Sequence, residues 1–197
     1  MMQPVLIVIN GIPGSGKTTV ARRLSKDLPL PHICKDDIKE RLYDVMGVGD
    51  LQWSQDLGAA TAEMLLALID KLLERRRSFI VESAFFKEFT ADRLATIIKK
   101  RHPVTVLEIY CATDPEVRKQ RYIARNESGA RHPGHVDHNH YKTQSDDAEV
   151  AVRYAPLEIS TCLIYDTTSP DEQAYQHIVK TVRQHMRTQS EKESSNA

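Results

Sequence analysis

A glycine-rich segment near the N-terminus has the residue types and spacing that hold a phosphate. Residues 11 to 18 read GIPGSGKT, which matches the pattern G-x-x-x-x-G-K-[ST] at every fixed position. The glycines let backbone N–H groups curl around a phosphate, and the following helix adds the partial positive charge of its N-terminus. We expect Lys17 to reach the β- and γ-phosphates of a nucleotide, and the Thr18 hydroxyl to bind Mg²⁺. The expected nucleotide contacts in this segment are Gly11, Pro13, Gly14, Ser15, Gly16, Lys17, Thr18 and Thr19.

Carboxylates follow two further apolar runs. Asp36 and Asp37 come directly after a candidate strand, where a parallel sheet places its ligands. Asp36 could orient a hydroxyl group or accept its proton, and either carboxylate could hold a magnesium-bound water. The alternative is that both only cap the helix of residues 38–46; we expect Asp37 to cap it and Asp36 to contact substrate. Glu82 ends another candidate strand and is a candidate for the magnesium shell or for contact with the acceptor.

Three arginines are spaced to share one face of a helix. Arg118, Arg121 and Arg125 follow the helix-start sequence Asp-Pro-Glu at residues 114–116 and differ by three and four positions. Their guanidinium groups suit phosphate oxygens, so we expect them to contact the transferred phosphoryl group. The alternative is an ordinary charged face in contact with solvent.

A segment after these arginines lacks apolar periodicity. Residues 126–145 contain four of the eight histidines, and we interpret residues 114–145 as a lid. Zinc binding by these histidines is an alternative, but contacts with phosphate or substrate are favoured over it. Phe85 and Phe86 are candidates for the wall of an acceptor pocket, with core packing as the alternative, whereas Phe79 is predicted to lie in the core.

The elements that must position these residues alternate along the chain. Short apolar runs alternate with amphipathic helical stretches, which indicates an α/β fold with helices on both faces of a parallel sheet. We predict one domain over residues 1–187, followed by a disordered polar tail at residues 188–197. The predicted strands are residues 5–10, 32–35, 79–82, 104–111 and 162–166.

Composition narrows the class of protein. The chain has 197 residues, of which 41% are hydrophobic and 27% charged, and this excludes wholesale disorder and fibrous architecture. Its 27 Lys and Arg balance 27 Asp and Glu, so binding of nucleic acid over the whole surface is not favoured. The first apolar run is five residues long, too short for a signal peptide or a membrane span, and the three cysteines lie far apart. We therefore expect a cytoplasmic protein with reduced thiols and no membrane contact.

Other nucleotide-binding classes lack support. The chain has neither the Asn-Lys-x-Asp nor the Asp-x-x-Gly motif of signalling GTPases, and it is too short for a transporter or ring ATPase. The remaining class transfers the γ-phosphoryl group to a second substrate, mostly through positioning and charge neutralisation.

On these residues the chain resembles the AAA-like ATP-binding P-loop kinases grouped with zeta toxins, the kinase domain of phage polynucleotide kinase and chloramphenicol phosphotransferase. The resemblance implies a three-layer P-loop NTPase fold with a five-stranded parallel sheet in the order 2-3-1-4-5. It also implies that Asp36 activates the acceptor, and that Lys39 takes the place of an arginine that binds acceptor-side phosphate. Arg121 and Arg125 would close over the donor phosphates, and Thr167 would border the adenine.

The sequence thus predicts a phosphotransferase that uses ATP and Mg²⁺ to phosphorylate a hydroxyl group of a small molecule. One alternative is a polynucleotide 5′-hydroxyl kinase, although an ammonium at Lys39 cannot grip a phosphate in bidentate fashion. Another is an ATP-binding regulatory or toxin-like module that acts through a protein partner.

Overall fold

A parallel sheet of five strands forms the centre of the computed structural model. The strand order is β2-β3-β1-β4-β5, and every neighbouring pair is parallel. The predicted topology is confirmed, and each strand end lies within one residue of its predicted position. The strands are β1 (Val5–Asn10), β2 (His32–Cys34), β3 (Phe79–Glu82), β4 (Thr105–Ala112) and β5 (Thr161–Asp166).

The structure describes residues 3–101, 103–129, 131–136 and 147–194, with the backbone alone for Asp147 and for residues 187–194. No helix in these ranges is long and apolar enough to cross a membrane. The helices described are α1 (Lys17–Asp27), α2 (Lys35–Met46), α3 (Leu51–Glu74), α4 (Lys87–Lys100), α5 (Pro115–Glu127), α6 (Asp147–Arg153) and α7 (Glu172–Ser194).

The sheet is covered on both faces, as the apolar runs predict. Ile7 and Ile9 belong to one core cluster with side chains of α1 and α7, whereas Leu6 and Val8 belong to a second cluster with α3 and α4. Successive strand side chains point to opposite faces, so both faces need apolar residues. This explains why β1 and β3 are buried at every position. The protein is therefore a three-layer α/β structure.

The last helix runs further than the composition suggests. We predicted disorder from residue 188, but α7 continues to Ser194. Gln, Glu and Lys are good helix formers, and no Gly or Pro interrupts this stretch. In the predicted lid, α5 forms as expected, whereas residues 137–146 lie outside the described residues.

Strand register brings the candidate residues to one edge of the sheet. Glu82 pairs with Ile9 on one side and with Cys34 on the other, so β1, β2 and β3 end at the same level. The residues that follow these strands therefore meet at the carboxyl edge, where parallel sheets bind ligands.

Candidate active site

The loop between β1 and α1 folds as a tight turn. Gly11 leaves β1 with a φ of +146°, and a Cβ atom there would lie 2.6 Å from the Cys111 carbonyl oxygen, so only glycine fits. The Ser15 amide donates to the Ile12 carbonyl at 3.0 Å and closes the turn. Gly16 has a φ of 80° and directly precedes α1. The predicted strand, glycine-rich loop and helix are all present.

The loop offers donors that suit a phosphate group. No side chain caps the N-terminus of α1, and its first turn contains no acidic residue. The Ser15 hydroxyl is buried and has no hydrogen-bond partner among the described residues. The Lys17 ammonium donates to the Ile12 carbonyl at 3.0 Å, within the same loop. Backbone amides at a helix N-terminus, together with a hydroxyl and an ammonium, fit the β- and γ-phosphates of ATP.

Lys17 lies in surroundings that favour an incoming anion. Its side chain is almost buried, and this burial lowers the pKa of Lys17 from that of free lysine. The negative charges of Glu82 and Asp36 counteract part of this effect, while the positive charge of Arg125 adds to it. A phosphate anion would supply the missing negative charge and stabilise the ammonium.

Thr18 and Glu82 lie side by side next to the loop. The Thr18 hydroxyl donates to Glu82 Oε2 at 3.1 Å, and the Cys34 thiol donates to the same oxygen at 3.0 Å. Burial, with the charge of Glu82, raises the pKa of Cys34, so the thiol keeps its proton and remains a donor. Mg²⁺ takes hydroxyl and carboxylate oxygens together with phosphate oxygens and water. Thr18 and Glu82 fit the predicted magnesium shell.

Asp36 lies in the first turn of α2, just beyond the end of β2. Its side chain is exposed, and the protein packed around the carboxylate would by itself raise its pKa. Positive charges of His135 and Lys35 outweigh the burial, and those of Lys17 and Arg125 add to them, so the pKa of Asp36 is lowered. The carboxylate is therefore ionised at neutral pH and lies close enough to Lys17 for their charges to interact.

The prediction that Asp37 caps α2 is wrong. The helix starts at Lys35 with Cys34 at the N-cap, and no side chain makes a capping hydrogen bond. Asp37 lies inside the first turn, where its negative charge interacts favourably with the positive end of the helix dipole. Its carboxylate is 3.7 Å from Arg22 Nη2, and both side chains are largely exposed. Because α2 starts upstream of both aspartates, capping does not explain Asp36 either.

The helix that carries the three arginines starts as predicted. Asp114 Oδ1 accepts the backbone N–H of Glu116 at 2.9 Å, and a proline lies in the first turn. Arg118 is only 5% exposed and its carbonyl lies against Gly14, at 3.0 Å from where a Cβ atom would be. This burial contradicts the alternative of a solvent-facing charged side chain for Arg118, whereas Arg121 is half-buried and Arg125 is exposed.

Arg121 and Arg125 follow Arg118 on α5. Arg121 Nη2 donates to the Thr167 carbonyl at 2.6 Å, and its Nη1 lies 3.8 Å from the position of a Cβ on Gly16. Arg125 acts electrostatically on both Lys17 and Asp36. Arg118 and Arg121 thus border the glycine-rich loop, and a role of the three arginines in stabilising the phosphoryl group remains a prediction.

Lys39 points to a neighbouring helix. Its ammonium donates to Ser54 Oγ on α3 at 3.1 Å, and the Tyr43 hydroxyl shares a 2.6 Å hydrogen bond with the same oxygen. Tyr43 and Ser54 are buried. The hydrogen bond to Ser54, which Tyr43 supports, therefore fixes the position of the Lys39 ammonium. Contact of this ammonium with an acceptor remains a prediction.

Three predicted nucleotide contacts differ in how far they are buried. Thr167 is buried, and its hydroxyl donates to the Ser15 carbonyl at 2.7 Å, so it supports the loop from behind. Contact of Thr167 with adenine remains a prediction. Thr19 lies in the first turn of α1 with an exposed side chain, and Pro13 is half-buried.

The adjacent residues Phe85 and Phe86 differ in burial. Phe85 is 5% exposed and packs in the core cluster of Leu6 and Val8, which agrees with the core-packing alternative, and its contact with an acceptor remains a prediction. Phe86 is 39% exposed and contacts the ring of Tyr154, with centroids 5.1 Å apart. Phe79 is fully buried, as predicted.

The first histidines of the predicted lid dock on α2. The His132 ring stacks on Tyr43 with centroids 5.4 Å apart, and His135 Nε2 lies 3.1 Å from Glu40 Oε1. A Cβ on Gly134 would lie 2.3 Å from the Tyr43 ring, so the backbone packs directly on this ring. In the described part of the chain, no group of three or more His, Cys, Asp or Glu side chains is arranged to hold a metal ion. The other two histidines of the predicted lid, at positions 138 and 140, lie outside it.

Sequence reasoning missed Glu40, Tyr43 and Ser54, which contact the predicted residues Lys39 and His135. Glu40 and Tyr43 lie four and seven positions after Asp36, so they share its face of α2. That spacing was a usable signal. Ser54 had none, because its contact with Lys39 depends on how α3 packs against α2.

A family model described as an AAA domain matches residues 6–151, more than half of the chain. The chain belongs to this AAA domain family, within the P-loop kinases. This AAA domain kinase is 30% identical to a cytidylate kinase of Methanococcus maripaludis over 169 residues, 83% of this chain and 86% of the relative. A second strain of that archaeon has a cytidylate kinase that is 30% identical over 167 residues, 82% of this chain and 85% of the relative.

Solved structures agree with this classification. A protein of Chloroflexus aurantiacus with a provisional kinase assignment is 34% identical, with a TM-score of 0.79 over 93% of this chain and 98% of that one. Kti12 of Chaetomium thermophilum, in complex with ADP-AlF3, shares the fold, with a TM-score of 0.65 at 18% identity over 92% of this chain and 98% of that one. The AAA domain kinase uses ATP with Mg²⁺.

Proposed function

We propose that this AAA domain kinase transfers the γ-phosphoryl group of ATP to a hydroxyl group of a small molecule. The observation that carries the proposal is the ionised carboxylate of Asp36, which lies just beyond the end of β2 and interacts electrostatically with Lys17. A hydroxyl acceptor has a proton to lose as it attacks phosphorus, and a carboxylate can accept it.

In this reaction the acceptor oxygen forms a bond to the γ-phosphorus while the bond between that phosphorus and the β-bridging oxygen breaks. Asp36 orients the hydroxyl and takes its proton, and ADP leaves. Because the pKa of Asp36 is lowered, the carboxylate is a weak base, which suits a loose transition state in which the proton moves late. Arg118, Arg121 and Arg125 would stabilise the charge on the transferred group.

Mg²⁺, held by Thr18 with Glu82 nearby, would neutralise charge on the phosphates. Lys17 and the loop amides hold the β- and γ-phosphates in place. Lys39, fixed by Ser54, would contact a polar group of the acceptor.

A second candidate acceptor is cytidylate, on which the archaeal relatives are named to act. Its attacking oxygen belongs to a phosphate, which has no need of a base and would be repelled by the charge on Asp36. The position of Asp36 favours a hydroxyl, whereas the 30% identity favours a nucleotide.

The test is MgATP consumption over a panel of acceptors, with products identified by mass spectrometry. The panel contains nucleosides, sugars, hydroxy acids, cytidylate and a 5′-hydroxyl oligonucleotide, and Lys17→Ala is the inactive control. We expect turnover stimulated by a small hydroxyl acceptor, with a phosphate ester as product. Turnover with cytidylate alone would establish the second candidate, and turnover with the oligonucleotide alone a polynucleotide kinase. No stimulation by any acceptor would favour a regulatory ATP-binding module.

A further inference from the structure

A buried amide lies where segments of the active site meet. Asn10 is the last residue of β1 and is fully buried. Its Oδ1 accepts the backbone N–H of Gly11 at 2.7 Å and that of Phe85 at 3.2 Å. Gly11 opens the phosphate-binding loop, and Phe85 belongs to the connection from β3 to α4. One oxygen therefore sets the spacing between the nucleotide-binding loop and the segment that follows Glu82.

The other end of the same amide reaches a third segment. Asn10 Nδ2 donates to Glu108 Oε1 at 3.1 Å and to the Ala155 carbonyl at 3.3 Å. Glu108 is a fully buried residue of β4, and both its oxygens accept the N–H of Leu157, at 2.9 and 3.0 Å. Ala155 and Leu157 lie in the connection from α6 to β5. The Asn10 amide thus donates with both hydrogens and accepts twice, so its hydrogen-bonding capacity is used in full.

We propose that Asn10 is a positioning residue for phosphoryl transfer, and that with Glu108 it couples the phosphate-binding loop to the segments around Phe85 and Leu157. A shift of one of these segments against the others would break a hydrogen bond and leave a buried polar group unpaired, which is unfavourable, so the segments move together. Asn10 touches neither substrate and acts through the Gly11 amide.

The coupling matters because transfer depends on placement. A displacement of about 1 Å between donor and acceptor groups can lower the rate about 100-fold. Nucleotide binding at the loop orders Gly11, and the network carries that order to Phe85 and Leu157. By reciprocity, order in those segments favours nucleotide binding.

The pair offers a rescue experiment. Asn10→Asp replaces the amide donor with a carboxylate and sets it against Glu108. Glu108→Gln in the same chain restores one hydrogen bond with donor and acceptor reversed, while its remaining oxygen still accepts from Leu157. The Ala155 carbonyl stays unpaired, so the rescue is partial. Gln52→Glu is the matched control, because Gln52 donates to a carboxylate, that of Asp56, at 2.9 Å on the exposed surface.

The measurement is amide hydrogen exchange by NMR, with and without saturating MgADP, alongside thermal unfolding of each variant. In the wild-type protein MgADP slows exchange at Leu157 by about fivefold or more. Asn10→Asp reduces this effect below about twofold, although MgADP still binds and the core amide of Ile7 keeps its protection. The double variant recovers at least half of the effect on a logarithmic scale, and Gln52→Glu matches wild type.

Three results would overturn the proposal. One is a wild-type Leu157 amide that does not respond to MgADP, and another is an Asn10→Asp variant in which it still responds fully. The third is a double variant no better than Asn10→Asp. If Asn10→Asp does not fold, Glu108→Met alone tests the same coupling, because it removes both acceptor oxygens, and the same loss of the MgADP effect is expected at Leu157. None of these readouts depends on the identity of the acceptor.

Discussion

Replacing Lys17 with methionine separates two effects of opposite sign. The Lys17 side chain is 7% exposed, and burial lowers its pKa, so its charge is unfavourable before nucleotide binds. Methionine fills the space without a charge or a donor. We therefore expect the nucleotide-free protein to keep its stability while MgATP binding is strongly weakened.

The size of each effect follows from the contacts. An ammonium that makes two charge-assisted hydrogen bonds to phosphate contributes about 3–6 kcal/mol, so MgATP binding should weaken about 10²- to 10⁴-fold. The lost hydrogen bond to the Ile12 carbonyl, 3.0 Å long, contributes about 1 kcal/mol. Removal of the desolvated charge offsets this loss of stability, so the melting temperature of the nucleotide-free protein should fall by no more than about 3 °C.

The sign of the pH dependence is also fixed. Because the pKa of Lys17 is lower in the folded protein than the 10.5 of free lysine, the unfolded chain binds more protons between the two values. Wild-type stability relative to Lys17→Met should therefore rise as pH increases through the lowered pKa towards 10.5.

The assays are calorimetric titration with MgATP and urea unfolding from pH 7 upward. Lys26→Met is the matched control, since Lys26 is an exposed lysine in the last turn of the same helix. Binding of MgATP to Lys17→Met within about threefold of wild type would refute the reasoning, because the ammonium would then not contact phosphate. A fall in melting temperature of more than about 10 °C would show that removing the buried charge does not offset the lost hydrogen bond.

Two further predictions concern stability. Arg101 donates to Asp70 through Nε and Nη2, both at 2.5 Å, and both side chains are largely buried. Arg101→Met should therefore lower the free energy of unfolding in urea by about 1–3 kcal/mol. Arg93→Met breaks an exposed pair and should lower it by less than about 1 kcal/mol. Equal losses would contradict the role of burial. Gly134→Ala should lower the free energy of unfolding by about 1–3 kcal/mol, because its Cβ would lie 2.3 Å from the Tyr43 ring. MgATP affinity should stay within about twofold, since this contact lies on α2 and not on the loop, and a larger change would contradict the separation of the two sides.

Patterns of residues close in sequence predicted most of the fold. The phosphate-binding loop and the apolar runs before it depend on residues close in sequence, and the strand positions followed from them. Strand order came from the resemblance, because short apolar runs do not indicate which strands pair. The start of α2 was misjudged because Asp37 has the side chain of a capping residue, and only the backbone shows that the helix begins at Lys35.

Long-range contacts were beyond the reach of these patterns. Phe85 and Phe86 are identical and adjacent, and only packing decides that the first is buried and the second is not. Asn10 and Glu108 are 98 residues apart in sequence, so their hydrogen bond can be recognised only once β1 and β4 are known to pair. Burial of Glu108 also runs against the expectation that glutamate is exposed.

The most direct test of the proposed chemistry compares two neighbouring aspartates. Asp36→Asn and Asp37→Asn remove one carboxylate each from the same helical turn, and Asp37 lies beside the exposed Arg22. With the acceptor found in the panel, single-turnover phosphoryl transfer should slow about 10²- to 10⁴-fold in Asp36→Asn, with MgATP affinity within about threefold of wild type. Asp37→Asn should transfer at close to the wild-type rate. Near wild-type transfer by Asp36→Asn would contradict the account, since the carboxylate would then neither orient the acceptor nor take its proton.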